Sequence, residues 1–152
     1  MILRFSVPGL PIGKARPRFA SGHAYTPRRT RAYEDEVTLS ALVAMRSHAT
    51  GRGRLRRTPF PLEGPLSLTV RAYFPRPKSH PRRQWHPAKP DGDNVVKAIA
   101  DALEVAGAYR DDARIVHFEV WKLCGVMPRV EIELRDMDEA AAAAVVAEEA
   151  LP

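Results

Sequence analysis

The chain has 152 residues, one cysteine and a formal net charge of +6. That length argues for one domain with a hydrophobic core of its own, and the lone Cys124 excludes both an intramolecular disulfide and a Cys-rich zinc site. No run of about 18 apolar residues is present, and Met1–Val7 is too short for a secretory segment before Pro8 and Gly9 break it, so neither a membrane span nor export is expected and the setting is read as cytoplasmic.

The charge is unevenly spread. Residues 1–90 carry 18 Lys and Arg against 4 Asp and Glu, a net +14; residues 91–152 carry 6 against 14, a net −8. This asymmetry predicts one surface for a polyanion and another where carboxylates gather. The plainer reading is two solvated faces that offset each other on folding.

In chain order, Leu3, Phe5 and Val7 alternate as one side of a strand. A loop of basic residues, Gly and Pro follows, from Gly13 to Gly22, and Thr26-Pro27 marks a helix entry. A helix is predicted from about Thr30 to His48, with Tyr33, Val37, Ala41 and Ala44 on one stripe, and a second basic loop spans Gly51 to Arg57. Leu66, Leu68, Val70, Ala72 and Phe74 alternate with Ser67, Thr69, Arg71 and Tyr73 in a half-buried strand that Pro75 and Pro77 end. Lys78 to Pro90 is a long polar loop, of a length that is usually functional in a small domain. Asn94 to Ala106 reads as an amphipathic helix: Val95, Ile99, Ala102, Leu103 and Ala106 oppose Asp93, Lys97, Asp101 and Glu104, and Gly107 stops it. Val116, Phe118 and Val120 mark a strand, and Val130, Ile132 and Leu134 another. With the turn from Gly125 to Pro128 between them, a hairpin is predicted. Asp138 caps a final Ala- and Glu-rich helix. The order β-α-β-α-β-β plus a C-terminal helix predicts a small α/β domain with a mixed sheet over residues 1–137, followed by a helical tail over 138–152.

Five aspartates crowd one stretch: Asp91, Asp93, Asp101, Asp111 and Asp112. Asp91 and Asp93 straddle Gly92 at a helix start, and Asp111 and Asp112 lie past its other end, before a strand. Hard cations such as Mg²⁺ take oxygen ligands, with one or two carboxylates per ion and phosphate or water completing the shell. A metal so held activates water against a phosphodiester. Lys97, one turn after Asp93, is placed to pair with it or to offset charge on a reacting phosphate. The bland alternative is that Asp91 and Asp93 cap a helix and that Asp111 and Asp112 belong to an ordinary turn. Spacing leaves open whether the two pairs meet.

The run Lys89-Pro90-Asp91-Gly92-Asp93-Asn94-Val95-Val96-Lys97 resembles the signature P-D-x-D-N-x-x-K of the RusA family of Holliday-junction resolvases. Asp101-Ala102-Leu103 is similar to that family's D-A-L segment. Tyr109-Arg110-Asp111-Asp112 is similar to its Y-x-D-D-x-x-V segment, with Ile115 where the valine stands. Pro8-Gly9, Gly13-Lys14-Ala15-Arg16-Pro17-Arg18, Tyr25-Thr26-Pro27 and Tyr73-Phe74-Pro75-Arg76-Pro77-Lys78 also resemble members of the family. The likeness spans about residues 5–125 and implies a dimeric α/β nuclease that uses Mg²⁺, or Mn²⁺ in its place, to cut four-way junctions in symmetric pairs. By motif position it implies that Asp91, Asp93 and Asp112 are the essential carboxylates and Lys97 the essential lysine. Asp111 fits the motif as a further ligand, and Asp101 is placed to position Lys97. Gly92 departs from the family, where bulkier residues are common.

Around this core, Lys14, Arg16, Arg18, Arg28, Arg29 and Arg31 suit a phosphate track, with Lys78 and Lys89 beside it. Arg52, Arg54, Arg56 and Arg57 suit a flexible arm. Trp85 either stacks on or wedges between bases, or closes its loop onto the core. His86 reads as a proton carrier or, more simply, as a surface histidine. Trp121 and His117 share one strand face and suit a subunit interface. The function expected is a homodimeric, Mg²⁺-dependent junction-resolving endodeoxyribonuclease of recombination and repair. Its competitors are a basic protein that binds branched or single-stranded DNA without cutting it, and a phosphohydrolase of small nucleotides.

Overall fold

In the computed structural model, which describes residues 1–16, 18–20, 22–51, 54–55 and 59–149, the chain runs β1 (Ile2–Pro8), β2 (Arg18–Ala20), β3 (His23–Tyr25), α1 (Arg28–Ala49), β4 (Thr50–Gly51), β5 (Arg54–Leu55), β6 (Leu66–Pro75), α2 (Gly92–Val105), a 3-10 turn (Asp112–Arg114), β7 (Ile115–Gly125), β8 (Arg129–Asp136) and α3 (Glu139–Glu149). The basic arm expected at Arg52, Arg56 and Arg57 lies outside the described residues, as do the side chains of Arg18 and Arg54.

Four strands form the main sheet in the order β1-β8-β6-β7. β6 pairs antiparallel with β8 and parallel with β7, which makes the sheet mixed, as expected. The predicted hairpin is not formed: β7 and β8 are consecutive in sequence, yet β6 lies between them. The reason is burial. Leu66, Ser67, Leu68, Thr69 and Val70 are all buried, and a strand so enclosed needs ladder partners on both edges for its backbone N–H and C=O groups. Pro75 ends β6, and Val126–Pro128 carries the chain across that end to the far side. Gly125 makes the corner, where an added Cβ would come within 3.3 Å of the Tyr73 ring.

One face of this sheet carries the core. Leu3 and Val7 of β1, Leu68, Val70, Ala72 and Phe74 of β6, and Val130, Ile132 and Leu134 of β8 pack against Tyr33, Val37 and Ala41 of α1 and Val95, Ile99 and Leu103 of α2. Each large aliphatic side chain so buried contributes about 1.5–3 kcal/mol. Among the described residues no helix is extensively packed on the other face, which is laced with polar pairs. Arg4 donates to Glu133 at 2.7 Å, and that hydrogen bond and the positive charges around it hold the Glu133 carboxyl below its ordinary pKa despite some desolvation. Arg129 lies over the Tyr73 ring at 3.9 Å, and Ser67 bonds His117 at 2.8 Å. A two-layer α/β sandwich results.

The connection from α2 to β7 is tightly made. Gly107 takes φ +77°, its N–H bonds the Glu104 carbonyl, and the Ala108 N–H reaches back to Leu103, which closes the helix with a Schellman turn. Tyr109 is buried and donates its hydroxyl to the Ala100 carbonyl at 2.7 Å. Asp138 accepts from the Ala141 N–H at 2.8 Å and caps α3 as the sequence predicts. Among the described residues no helix is long and apolar enough to cross a membrane. Tyr109→Phe is expected to lower unfolding stability by about 1 kcal/mol through loss of that buried hydrogen bond; denaturant titration should show a lower midpoint at unchanged slope.

Candidate active site

The first turn of α2 presents the signature carboxylates. Asp91 is the N-cap residue, with extended backbone at φ −68° and ψ 148°, but its side chain makes no capping hydrogen bond. The Asp91 carboxylate therefore does not cap the helix; it is exposed and has no hydrogen-bond partner among the described residues. Asp93 follows in the first turn, also exposed, and Lys97 stands exposed one turn further on. At the other aspartate pair the roles divide. Asp111 accepts from the Ala113 N–H at 2.9 Å and caps the 3-10 turn, whereas Asp112 is exposed and has no such bond.

The two pairs do not meet within one chain. α2 has 14 residues and at a rise of 1.5 Å per residue is about 21 Å long. β7 returns antiparallel to it, so that Gly92 faces Val120 and Lys122 while Asp112 sits before Ile115 at the strand's start. Asp91 and Asp93 thus lie at one end of the helix, Asp111 and Asp112 at the other. Consistently, no three His, Cys, Asp or Glu side chains converge as a metal cage among the described residues.

A cleft of about 640 Å³ opens beside Asp91. Gly13, Arg29, Phe74, His86, Lys89 and Asn94 are among its walls. Arg29 enters from the first turn of α1, where Arg28 and Arg31 also lie and no acidic residue is present. Cations there oppose the helix dipole, a placement that costs stability unless an anion offsets it. Arg16 and Lys78 are exposed. Lys14 differs from the expectation of a free phosphate contact: its ammonium bridges Glu34 of α1 at 2.6 Å and Asp101 of α2 at 2.8 Å. Burial works against its charge, but the hydrogen bonds and attraction from Asp101 and Glu34 outweigh that and raise its pKa. Asp101, expected to position Lys97, is bound to Lys14 instead.

The long polar loop is pinned rather than loose. Gln84–His86 lies along the outer edge of β7: Trp85 pairs with Leu123, the His86 N–H donates to the Lys122 carbonyl at 2.9 Å, and the Cys124 N–H donates to Gln84 at 2.7 Å. His86 stacks on Phe74 with ring centroids 3.9 Å apart, and its Nε2 lies 3.2 Å from the Lys89 carbonyl. Lys122 carries no signal in the sequence pattern; its ammonium donates to the Ala88 carbonyl at 2.5 Å and helps to hold the approach to Asp91. Trp85, exposed, turns to the opposite side of the sheet and stacks on Trp121 at 5.9 Å.

The family model for the endodeoxyribonuclease RusA matches residues 8–135. An uncharacterised protein, YqaN of Bacillus subtilis (strain 168), is 31% identical over 150 residues, covering 89% of this chain and 96% of the relative. The crossover junction endodeoxyribonuclease rusA of Lactococcus phage r1t is 32% identical over 73 residues, 48% of this chain and 56% of the relative.

Two predictions arise from this geometry. A Cβ at Gly92 would meet only Val120 at 3.6 Å and Lys122 at 3.8 Å, both ordinary contacts, so Gly92→Ala should raise stability by up to about 1 kcal/mol; a lowered thermal midpoint would mean that the first turn depends on glycine. Arg28→Ala with Arg29→Ala should weaken junction and duplex binding alike and flatten the salt dependence by about two phosphate contacts. An unchanged slope in a binding titration would remove the start of α1 from the DNA path.

Proposed function

The chain belongs to the endodeoxyribonuclease RusA family, and from that premise we propose that it is a Mg²⁺-dependent, homodimeric endonuclease that resolves four-way DNA junctions by paired phosphodiester cleavage in recombination and repair. The observation that carries this reading is the exposed Asp91 carboxylate, which makes no cap bond and lines a cleft with Arg29 and Lys89, with Asp93 two residues on in the first turn of α2. A protein that only binds DNA has no use for exposed acids beside its phosphate track, where they repel the ligand.

The donors suit a hard divalent cation: exposed carboxylates with free oxygens, and room for phosphate and water to complete the shell. Asp91, Asp93 and Asp112 would hold the ion, with Asp111 limited to one oxygen by its cap bond. Bound there, the metal supplies an activated water and offsets charge at the scissile phosphate, and Mn²⁺ accepts the same donors. Lys97 offers its ammonium to the phosphate oxygens, and Arg28, Arg29, Arg16, Lys78 and Lys89 carry the flanking backbone.

The separation of the carboxylates supports the dimer. β7 lacks a strand partner on its outer edge from Ile115 to Trp121 among the described residues, and Val116, Phe118 and Trp121 are exposed there. An exposed edge with apolar side chains on both faces invites pairing. Two β7 edges joined antiparallel about a two-fold axis set the start of one strand beside the end of the other. Asp112 of one subunit then approaches Asp91 and Asp93 of the partner subunit, and the dimer contains two composite sites for two matched cuts.

Asp91→Asn and Asp112→Asn should each abolish cleavage of a four-way junction while binding without metal persists. Mixing the two inactive proteins is the sharper test: with shared sites, about one site in four is intact after random subunit exchange, and nicking without paired cuts returns. No recovery, with exchange verified by mass spectrometry, would confine each site to one chain.

A further inference from the structure

Gly13 and Lys14 grip α2 at two levels. Gly13 packs so closely on its start that an added Cβ would lie 2.9 Å from the Pro90 Cβ and 3.1 Å from the Asn94 Cβ. The Lys14 N–H donates to the Asn94 carbonyl at 2.7 Å, in the turn that carries Asp91 and Asp93. Seven residues further along, the Lys14 ammonium takes Asp101 at 2.8 Å, with Glu34 of α1 at 2.6 Å on its other side. All three side chains are largely shielded from water, with exposures of 24% for Lys14, 18% for Glu34 and 30% for Asp101.

Asp101 has a second neighbour. Lys97 precedes it by four residues on the same helix, the spacing at which opposite charges pair. Yet no carboxylate is paired with Lys97 among the described residues, and Asp101 bonds Lys14 instead. A partly buried ammonium that also serves Glu34 offers Asp101 a less hydrated partner than an exposed Lys97, so the competition favours Lys14.

We propose that Lys14 is a positioning residue that keeps Lys97 free for substrate phosphate by holding Asp101 away from it, while its backbone seats the turn bearing Asp91 and Asp93. This rests on the reading of Lys97 as a phosphate ligand. Without Lys14, Asp101 turns to Lys97 and neutralises it, and Glu34 is left without its ammonium.

The test compares Lys14→Met with two double variants, Lys14→Met/Asp101→Asn and Lys14→Met/Glu34→Gln. Glu34→Gln removes the carboxylate left without a partner and should recover thermal stability, whereas Asp101→Asn removes one that has paired anew with Lys97 and should recover less. Only Asp101→Asn releases Lys97. Lys14→Met should cleave a four-way junction about tenfold more slowly at saturating Mg²⁺ and saturating protein, so that the loss is read in the cleavage step and not in junction binding. The Asp101 double variant should regain most of that rate and the Glu34 double variant should not. Carbon NMR of the Lys97 Cε in metal-free protein gives a readout independent of cleavage: its resonance should shift in Lys14→Met, return with Asp101→Asn and stay shifted with Glu34→Gln. Lys14→Gln, which keeps a hydrogen-bonding head, should act in the same direction should the Met variant not fold. Equal recovery of rate by the two double variants, or a Lys97 resonance indifferent to Lys14, would overturn the proposal. A wild-type protein that leaves junctions uncut would instead sink the nuclease reading, and the NMR comparison would still decide the pairing.

Discussion

The seating of α2 on the sheet is the constraint from which the site geometry descends. Val95, Ile99 and Leu103 are fully buried, which fixes the rotation of the helix and turns Asp93 and Lys97 outward. Its two ends are then held by different means: the Gly13–Lys14 segment presses on the first turn, and the Gly107 turn with the Tyr109 hydroxyl closes the last. A helix so held acts as a rigid spacer of about 21 Å. Carboxylates at its two ends keep their separation, and chemistry that needs them together has to draw on two chains.

The placement of β6 has a comparable reach. Because β6 takes the sheet interior, β7 is displaced to the edge, and its outer hydrogen-bonding groups face outward from Ile115 to Trp121. The Gln84–His86 segment covers only the end of that edge, at Lys122–Cys124. That short pairing brings His86 over Phe74 on the cleft side and Trp85 over Trp121 on the other, because adjacent residues of an extended segment face opposite ways. One segment therefore builds a wall of the cleft and also limits how far β7 remains open to another strand.

Two sets of cations differ in their energetics. Arg4, Lys14 and Arg129 have carboxylate or aromatic partners and belong to the fold. Arg28, Arg29 and Arg31 crowd the positive end of α1 without an acidic neighbour in that turn. Among the described residues no salt bridge offsets their charge, which opposes the dipole of α1.

The α/β class, the places of β1, β6 and α2, the Asp138 cap and the position of Asp91, Asp93 and Lys97 at the start of α2 were all legible in the sequence, because each depends on local periodicity or on neighbours within a helical turn. The likeness of Lys89–Lys97 and Tyr109–Asp112 to a nuclease family was legible for the same reason, as contiguous motif. What depends on distant residues was not. The pairing of Lys14 with Glu34 and Asp101 joins segments up to 87 residues apart in numbering, and no spacing rule relates them. The hairpin expected between β7 and β8 has a suitable connecting turn, but a local rule has no knowledge that β6 needs partners on both edges. Likewise the sequence crowds Asp91 and Asp112 within one stretch, and only the antiparallel return of β7 along α2 decides that they stand a helix length apart.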